Sequence, residues 1–349
     1  MEIYFDISNL ESYIKTYYSD KAYFAEHNKM LTKHLDVFLN MSFEQIKSSM
    51  ICLEWVKEIM QNGKNLPKCI GNAQFPPRPL PLRDTGHLDI ASKKHSAVYC
   101  LDCEEVPELR EKGNYLVGSI GEECDVIGSL LFDDDQYSKS LPTRRHFSRG
   151  LPWSALFNYT LPCTDLIITD SYVLCNEYIY SNNILPFIDQ MLDRLRDTHV
   201  NIVLFGLEGF NSKKKDSNGM PIYITPKWED IRARIKARLI PKNITANISF
   251  VVLKDESNFK QHDRHIFANY IYYTPGACLN FYNNADEFTS NGDSFTLLSL
   301  AKKDHYEEAF DFIDYMQLII NEIRSDARSG QVIAEPNPIS NLSNYLTFN

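Results

Sequence analysis

DLIITD (Asp165–Asp170), NIVLF (Asn201–Phe205) and ISFVVL (Ile248–Leu253) are three short runs, almost wholly apolar and bounded by polar residues. Runs of this length without strict alternation are the pattern of strands covered by helices on both sides. Between the first two, Asn183–Asp197 carries Leu185, Ile188, Leu192 and Leu195 at helical spacing. Between the second and third, Thr225 and Pro226 make a good N-cap and first-turn pair for a helix running to about Leu239. A further strand is read at HIFANYIYY (His265–Tyr273), and a closing helix over about Tyr306–Ile323. Strand, helix, strand, helix, strand in this rhythm predicts an α/β layered domain over 161–329.

Working outward from that core, residues 1–65 read as a helical N-terminal region. Ser42 and Gln45 form a capping-box pattern. Phe43, Ile46, Met50, Leu53, Val56, Ile59 and Met60 follow at helical spacing, with Gly63 as the stop. Residues 66–96 read as a rigid linker, because Pro67, Pro76, Pro77, Pro79 and Pro81 favour extended backbone. Strand patterns return at AVYCL (97–101) and YLVGSI (115–120), so 97–160 is expected to be an α+β segment. Within it, Phe132–Gly150 is polar and reads as a loop. The tail, 330–349, is rich in Asn, Pro and Ser and is placed on the surface. The expected class is therefore α/β, with a mixed α+β N-terminal region.

The chain has 349 residues, 44% hydrophobic and 23% charged, with a net charge of −10. That content suffices for a sizeable core and excludes global disorder. The acidic balance gives no general attraction to nucleic acid or anionic membrane, so any polyanion site must be a local basic patch. No stretch approaches the length of a membrane helix, and the first residues lack a basic segment followed by an apolar run. The 8 cysteines are scattered, several in apolar surroundings, as buried free thiols are. A cytoplasmic protein without cofactor or metal is expected. Cys100-Leu-Asp-Cys103 is a lone CxxC without the second pair that a zinc site needs.

No phosphate-binding glycine loop, dinucleotide fingerprint, zinc-protease helix motif or nucleophile elbow is present. The densest chemistry lies in HDRHIFANYIYYTPGACLN (262–280). His262 and Arg264 share strand parity with Ile266 and Ala268, and so line one side. An imidazole there can attack phosphorus or donate a proton, and a guanidinium can fork onto two phosphate oxygens. Gly276 lets backbone approach an anion closely. A second reading of the same residues is a solvated face, with Arg264 bridged to Asp263, Asp255 or Glu256.

The spacing resembles the phospholipase D superfamily signature, H-x-K-x4-D-x6-G-[GS]-x-N. His262, the spacing and Gly276 match; Asn280 comes one residue late. Arg264 replaces the family's Lys and Asn269 its Asp. The HDR form also resembles the phospholipase D-like C-terminal domain of microtubule-interacting-and-trafficking domain proteins, which binds phosphoinositides without known hydrolysis. Asp170-Ser-Tyr-Val is similar to the strand end that precedes a helix in such domains. The resemblance covers about 160–325. It implies either a nuclease or phosphodiesterase, such as serves bacterial defence, or a non-catalytic phosphate-binding scaffold. His262 would be catalytic; Arg264, Asn269, Gly276 and Asn280 would bind phosphate. The family builds one active centre from two motif copies, so catalysis here implies a homodimer. The implied partners are nucleic acid or another phosphate-bearing ligand, and a protein partner or second copy.

Residues Lys227–Lys242 add a possible polyanion surface. Six basic and two acidic side chains give +4 over 16 residues, with Arg232, Arg234, Lys236 and Arg238 at its centre. Lys213, Lys214 and Lys215 stand just before it, in a segment read as a loop.

Overall fold

The structure is a computed structural model. It describes residues 2–5, 7–33, 35–39, 41–61, 67–69, 98–100, 116–118, 138–142, 153, 156, 161–174, 180–207, 210–215, 217–219, 221–224, 228–253, 264–276, 279, 294–325 and 332–334. The chain divides into two compact units. One comprises Met1–Ser138, Ser299–Glu307 and Thr347–Asn349; the other comprises Lys139–Leu298 and Glu308–Leu346.

The first unit is α/β in its own right. Strand β1 (Glu2–Phe5) leads into helices α1 (Ile7–Ser19) and α2 (Lys21–Lys33), then β2 (Asp36–Leu39), α3 (Phe43–Ser48), α4 (Met50–Gln61) and β3 (Lys68–Cys69). Strands β4 (Val98–Cys100) and β5 (Leu116–Gly118) complete a sheet of order β3-β2-β1-β4-β5, parallel throughout. The expected helical region thus contains two central strands, and the strands of 97–118 belong to the same sheet. EIYF and DVFL are only four residues each, and helical periodicity on either side hides them. The capping box is present: Ser42 Oγ accepts from the Gln45 N–H, and Gln45 Oε1 accepts from the Ser42 N–H. Trp55 of α4 is fully buried, edge-on to Tyr13 of α1, and donates its indole N–H to Asn28 of α2 at 2.8 Å. The proline segment beyond Cys69 and the stop at Gly63 lie outside the described residues.

The second unit is built on eight strands. They are β6 (Ser138–Pro142), β7 (Asp165–Thr169), β8 (His199–Leu207), β11 (Thr245–Leu253), β12 (His265–Ala268), β13 (Ile271–Thr274), β14 (Ser294–Ser299) and β15 (Val332–Ala334). A separate hairpin, β9 (Phe210–Lys215) with β10 (Pro221–Ile224), follows β8. The helices are α5 (Leu185–Met191), preceded by a π turn over Tyr180–Ile184, α6 (Trp228–Leu239) and α7 (Lys303–Arg324). The sheet order is β15-β11-β8-β7-β12-β13-β14-β6. Strands β7, β8 and β11 are parallel, as the three opening runs predict, while β12 runs antiparallel to β7.

Lateral register shows which face each helix covers. Phe250, Leu204, Ile168, Ile266 and Tyr273 are cross-strand partners in one row. Directly opposed residues share a face. Phe187 of α5 packs edge-on against Tyr273, and Arg232 of α6 lies over Phe250, so α5 and α6 cover this side. The next row holds His265 and Thr169. His265 packs on Phe312 of α7 with ring centroids 4.0 Å apart, so α7 covers the other side. Every residue of β7 is buried, which is why its sequence is apolar throughout.

Three expectations are corrected. His265–Tyr273 is not one strand but the hairpin β12–β13, turning at Asn269 and Tyr270. The polar stretch 132–150 contributes β6, and the tail contributes β15, antiparallel to β11 at the sheet edge. Strand β6 is polar and β15, though apolar, is only three residues long, so hydrophobic pattern does not mark them. Among the described residues, no helix is long and apolar enough to cross a membrane.

Candidate functional site

The strands β7, β8 and β11 all point their carboxyl ends to one edge of the sheet, the edge at which open α/β sheets bind ligands. Asp170 is the first residue beyond β7, and Arg264 the last before β12. Because β12 pairs antiparallel with β7, with His265 opposite Thr169, these two side chains are brought together. Arg264 Nε lies 3.5 Å from Asp170 Oδ2, with the Arg264 side chain 11% exposed and Asp170 1%. The guanidinium carbon stands 5.9 Å from the ring centre of Tyr172. Asp170 is thus a carboxylate partner of Arg264 among the described residues; Asp255, Glu256 and Asp263, the partners expected from sequence, lie outside them.

Asp170 is held from several directions. The Tyr172 N–H donates to Oδ1 at 2.7 Å, and the Leu279 N–H to Oδ2 at 3.3 Å. Its own N–H donates to the Phe205 carbonyl, and the Leu207 N–H donates to the Ser171 carbonyl, tying the turn to β8. Burial pushes the Asp170 carboxyl above the usual carboxylate range; Arg264 and the backbone donors oppose that rise. Gly206 makes room for the turn. A Cβ there would stand 2.8 Å from Leu174 Cγ and 3.2 Å from the Asp170 carbonyl oxygen.

Gly276 follows β13 on the same edge, exposed, with φ +67. Its conformation is one that glycine adopts without strain, so the turn itself requires it. His262 and Asn280 lie outside the described residues.

Asn269 is at the other end of β12. Five residues separate it from Arg264, or about 16 Å of strand. It is fully buried, its Oδ1 accepting from the Asp165 N–H at 3.0 Å and its Nδ2 donating to Asp165 Oδ2 at 3.1 Å. Asn201 Nδ2 donates to Asp165 Oδ1, Thr164 Oγ1 to Oδ2, and Asn247 Nδ2 to Asn201 Oδ1. Asn247, Asn201 and Asp165 are register partners, so a polar ladder crosses β11, β8, β7 and the β12–β13 turn. The expectation that Asn269 touches phosphate is corrected: it clamps the amino end of β7.

On the basic helix, Arg234, Lys236 and Arg238 are exposed, and several of its cations have partners within the chain. Arg232 pairs with Glu229 at 2.8 Å and covers Phe250. Arg234 donates to Ser181 Oγ, and Arg238 pairs with Asp189 at 2.9 Å. Lys242 bridges to Asp189 and Asp193. Arg234, Arg238 and Lys242 therefore link α6 to the segment around α5, Arg234 and Arg238 remaining exposed like Lys236. Asp170, Tyr172 and Gly206 are parts of the site that sequence reading left without a role. The one signal for Asp170 is a carboxylate closing an otherwise buried strand.

Among the described residues, no cluster of three His, Cys, Asp or Glu side chains is placed to hold a metal ion. Comparison with protein-family models and with curated proteins finds no match.

Proposed function

We propose that the second unit recognises a phosphate-bearing ligand, with a phosphodiester as the preferred form, at the carboxyl ends of β7 and β8. The observation that carries this reading is the Arg264–Asp170 pair. Asp170 is wholly buried and Arg264 nearly so, at the sheet edge where ligands enter. A buried ion pair adds little net stability compared with apolar residues of the same size. Its presence at this edge supports a role for the guanidinium beyond folding. Asp170 holds Arg264 at ion-pair distance, and a planar guanidinium matches phosphate geometry.

The resemblance to phospholipase D-like domains supports the same ligand class. His262 stands two residues before Arg264, as in the family motif, and would be the nucleophile or acid if the bond is cleaved. One motif copy completes half of such a centre, so cleavage belongs to a homodimer. Recognition without turnover needs one chain. The engagement of Asn269 with Asp165, away from Arg264, favours recognition as the primary activity.

The test is binding of thymidylyl-thymidine to the full chain and to Arg264→Ala by calorimetry, with circular dichroism to establish folding. A charge-assisted hydrogen bond to phosphate contributes about 1.5–3 kcal/mol, so a loss of one to two decades in affinity is expected. Equal affinity of the two folded proteins would remove the proposal. Release of p-nitrophenol from bis(p-nitrophenyl) phosphate, compared between wild type and His262→Ala, separates cleavage from recognition.

A further inference from the structure

The lysine run Lys213–Lys215, read from the sequence as a loop, lies on strand β9. A more specific arrangement stands in the turn that follows β7. The Val173 N–H donates to the Asp170 carbonyl at 3.3 Å, and the Tyr172 N–H donates to Asp170 Oδ1 at 2.7 Å. An aspartate side chain that accepts from the N–H two residues on fixes a turn locally. Ser171, Val173 and Leu174 are buried and root that turn in the core, while Tyr172 between them is only half-buried. A ring of this size left partly at the surface forgoes apolar burial that its neighbours obtain.

The two oxygens of one buried carboxylate thus serve two groups. Oδ1 holds the backbone of Tyr172, and Oδ2 stands 3.5 Å from Arg264 Nε. The outcome is a guanidinium carbon 5.9 Å from the centre of the Tyr172 ring, within the range of a cation–π contact. A cation suited to phosphate and an aromatic side chain therefore stand side by side where β7 ends.

We propose that Tyr172 is the specificity-determining residue of this site, a stacking platform that selects phosphodiesters carrying a flat ring close to phosphorus. The proposal rests on the phosphate-recognition reading above and deepens it from the phosphate to the rest of the ligand. Stacked aromatic rings meet with centres about 4.5–7 Å apart. A phosphate on Arg264 and a ring on Tyr172 are held apart by a span on the order of the 5.9 Å between their hosts, so one ligand reaches both only through a short linker. Nucleoside and aryl phosphodiesters have that form. Inositol and glycerol headgroups are saturated, offer no π-face and gain no stacking from Tyr172. The platform is ready before the ligand arrives, because Asp170 already fixes its backbone.

The experiment measures, by ligand-observed NMR titration, the affinity of the full chain for thymidylyl-thymidine, diphenyl phosphate and glycerophosphoinositol, all of them phosphodiesters. The series is repeated on Tyr172→Phe and Tyr172→Leu, with circular dichroism to establish folding. Base–aromatic stacking corresponds to about a five- to hundredfold preference, so wild type should bind a ring-bearing diester that much more tightly than glycerophosphoinositol. Preference for thymidylyl-thymidine alone identifies a nucleobase as the ring, and preference for diphenyl phosphate an aryl group. Tyr172→Phe should keep the preference and Tyr172→Leu should lose it. A Tyr172 that only seats Arg264 would lower all these affinities together in Tyr172→Leu and leave their ratio unchanged, which overturns the proposal. Equal affinity of wild type for the three diesters, or tighter binding of glycerophosphoinositol, overturns it as well. Arg264→Ala tests the underlying reading separately and should weaken every diester. If it does so while no ring is preferred, the platform fails and phosphate recognition stands; if it weakens none, the phosphate reading itself fails.

Discussion

Restoring the family carboxylate at position 269 should damage the protein, not activate it. Asn269→Asp places a second carboxylate where Asn269 Nδ2 now donates to Asp165 Oδ2 at 3.1 Å, with both residues fully buried. Two like charges at that separation repel by about 5 kcal/mol at an effective dielectric of 20. The alternative is for the pair to bind one proton. Holding a carboxyl of ordinary pKa near 3.9 protonated at pH 7 costs about 4 kcal/mol. Both routes converge on a loss of about 4–5 kcal/mol, a large share of a typical domain's stability. The sign with pH follows. The folded variant binds a proton that the unfolded chain releases above about pH 4, so the raised folded affinity makes stability fall as pH rises. By pH 5 the proton-binding route costs only about 1.5 kcal/mol. Chemical denaturation of wild type and variant at the two pH values measures this. A variant as stable as wild type at pH 7, or one less stable at pH 5 than at pH 7 relative to wild type, would refute the reasoning.

Three further outcomes are expected. Asp170→Asn leaves the Arg264 guanidinium nearly buried without its carboxylate and should destabilise by about 3–5 kcal/mol, read by denaturant midpoint, with Asp170→Asn/Arg264→Met recovering much of the loss. Arg264→Ala removes the cation that opposes the rise in the Asp170 carboxyl, so that variant should gain stability relative to wild type as pH falls from 7 to 5; a constant difference across that range would show that Asp170 is not desolvated. Cys163 and Cys52 are buried and burial pushes both thiols up, so both should resist iodoacetamide in the native protein and react on unfolding, as mass spectrometry of labelled peptides would show.

The central strands were legible because burial on both faces leaves an unbroken apolar run, as in β7. The capping box at Ser42 was legible because its chemistry is local. What escaped were features that depend on distant parts of the chain. Strand β15 is three residues long and gains its identity only from pairing with β11. The β12–β13 turn carries Asn269-Tyr270, without the Asn-Gly or Asp-Gly signal of a tight hairpin, inside a run that otherwise reads as one strand. Arg264 has acidic neighbours in sequence, yet register brings it to Asp170 at the end of another strand. Asn269 matched a motif position by spacing alone, and spacing does not say which end of a hairpin a residue occupies. That Arg234 and Arg238 of α6, though exposed, also meet acceptors of the α5 segment is likewise not written in the local sequence.

In the proposed function, Arg264 holds phosphate at the carboxyl edge of the second unit. Calorimetric titration of thymidylyl-thymidine into wild type, Arg264→Lys and Arg264→Ala, each verified as folded, tests it most directly. The guanidinium fork predicts a graded series: full affinity in wild type, an intermediate value for lysine, and a loss of about one to two decades for alanine. Three equal affinities would contradict it and leave the Arg264–Asp170 pair as a structural ion pair alone.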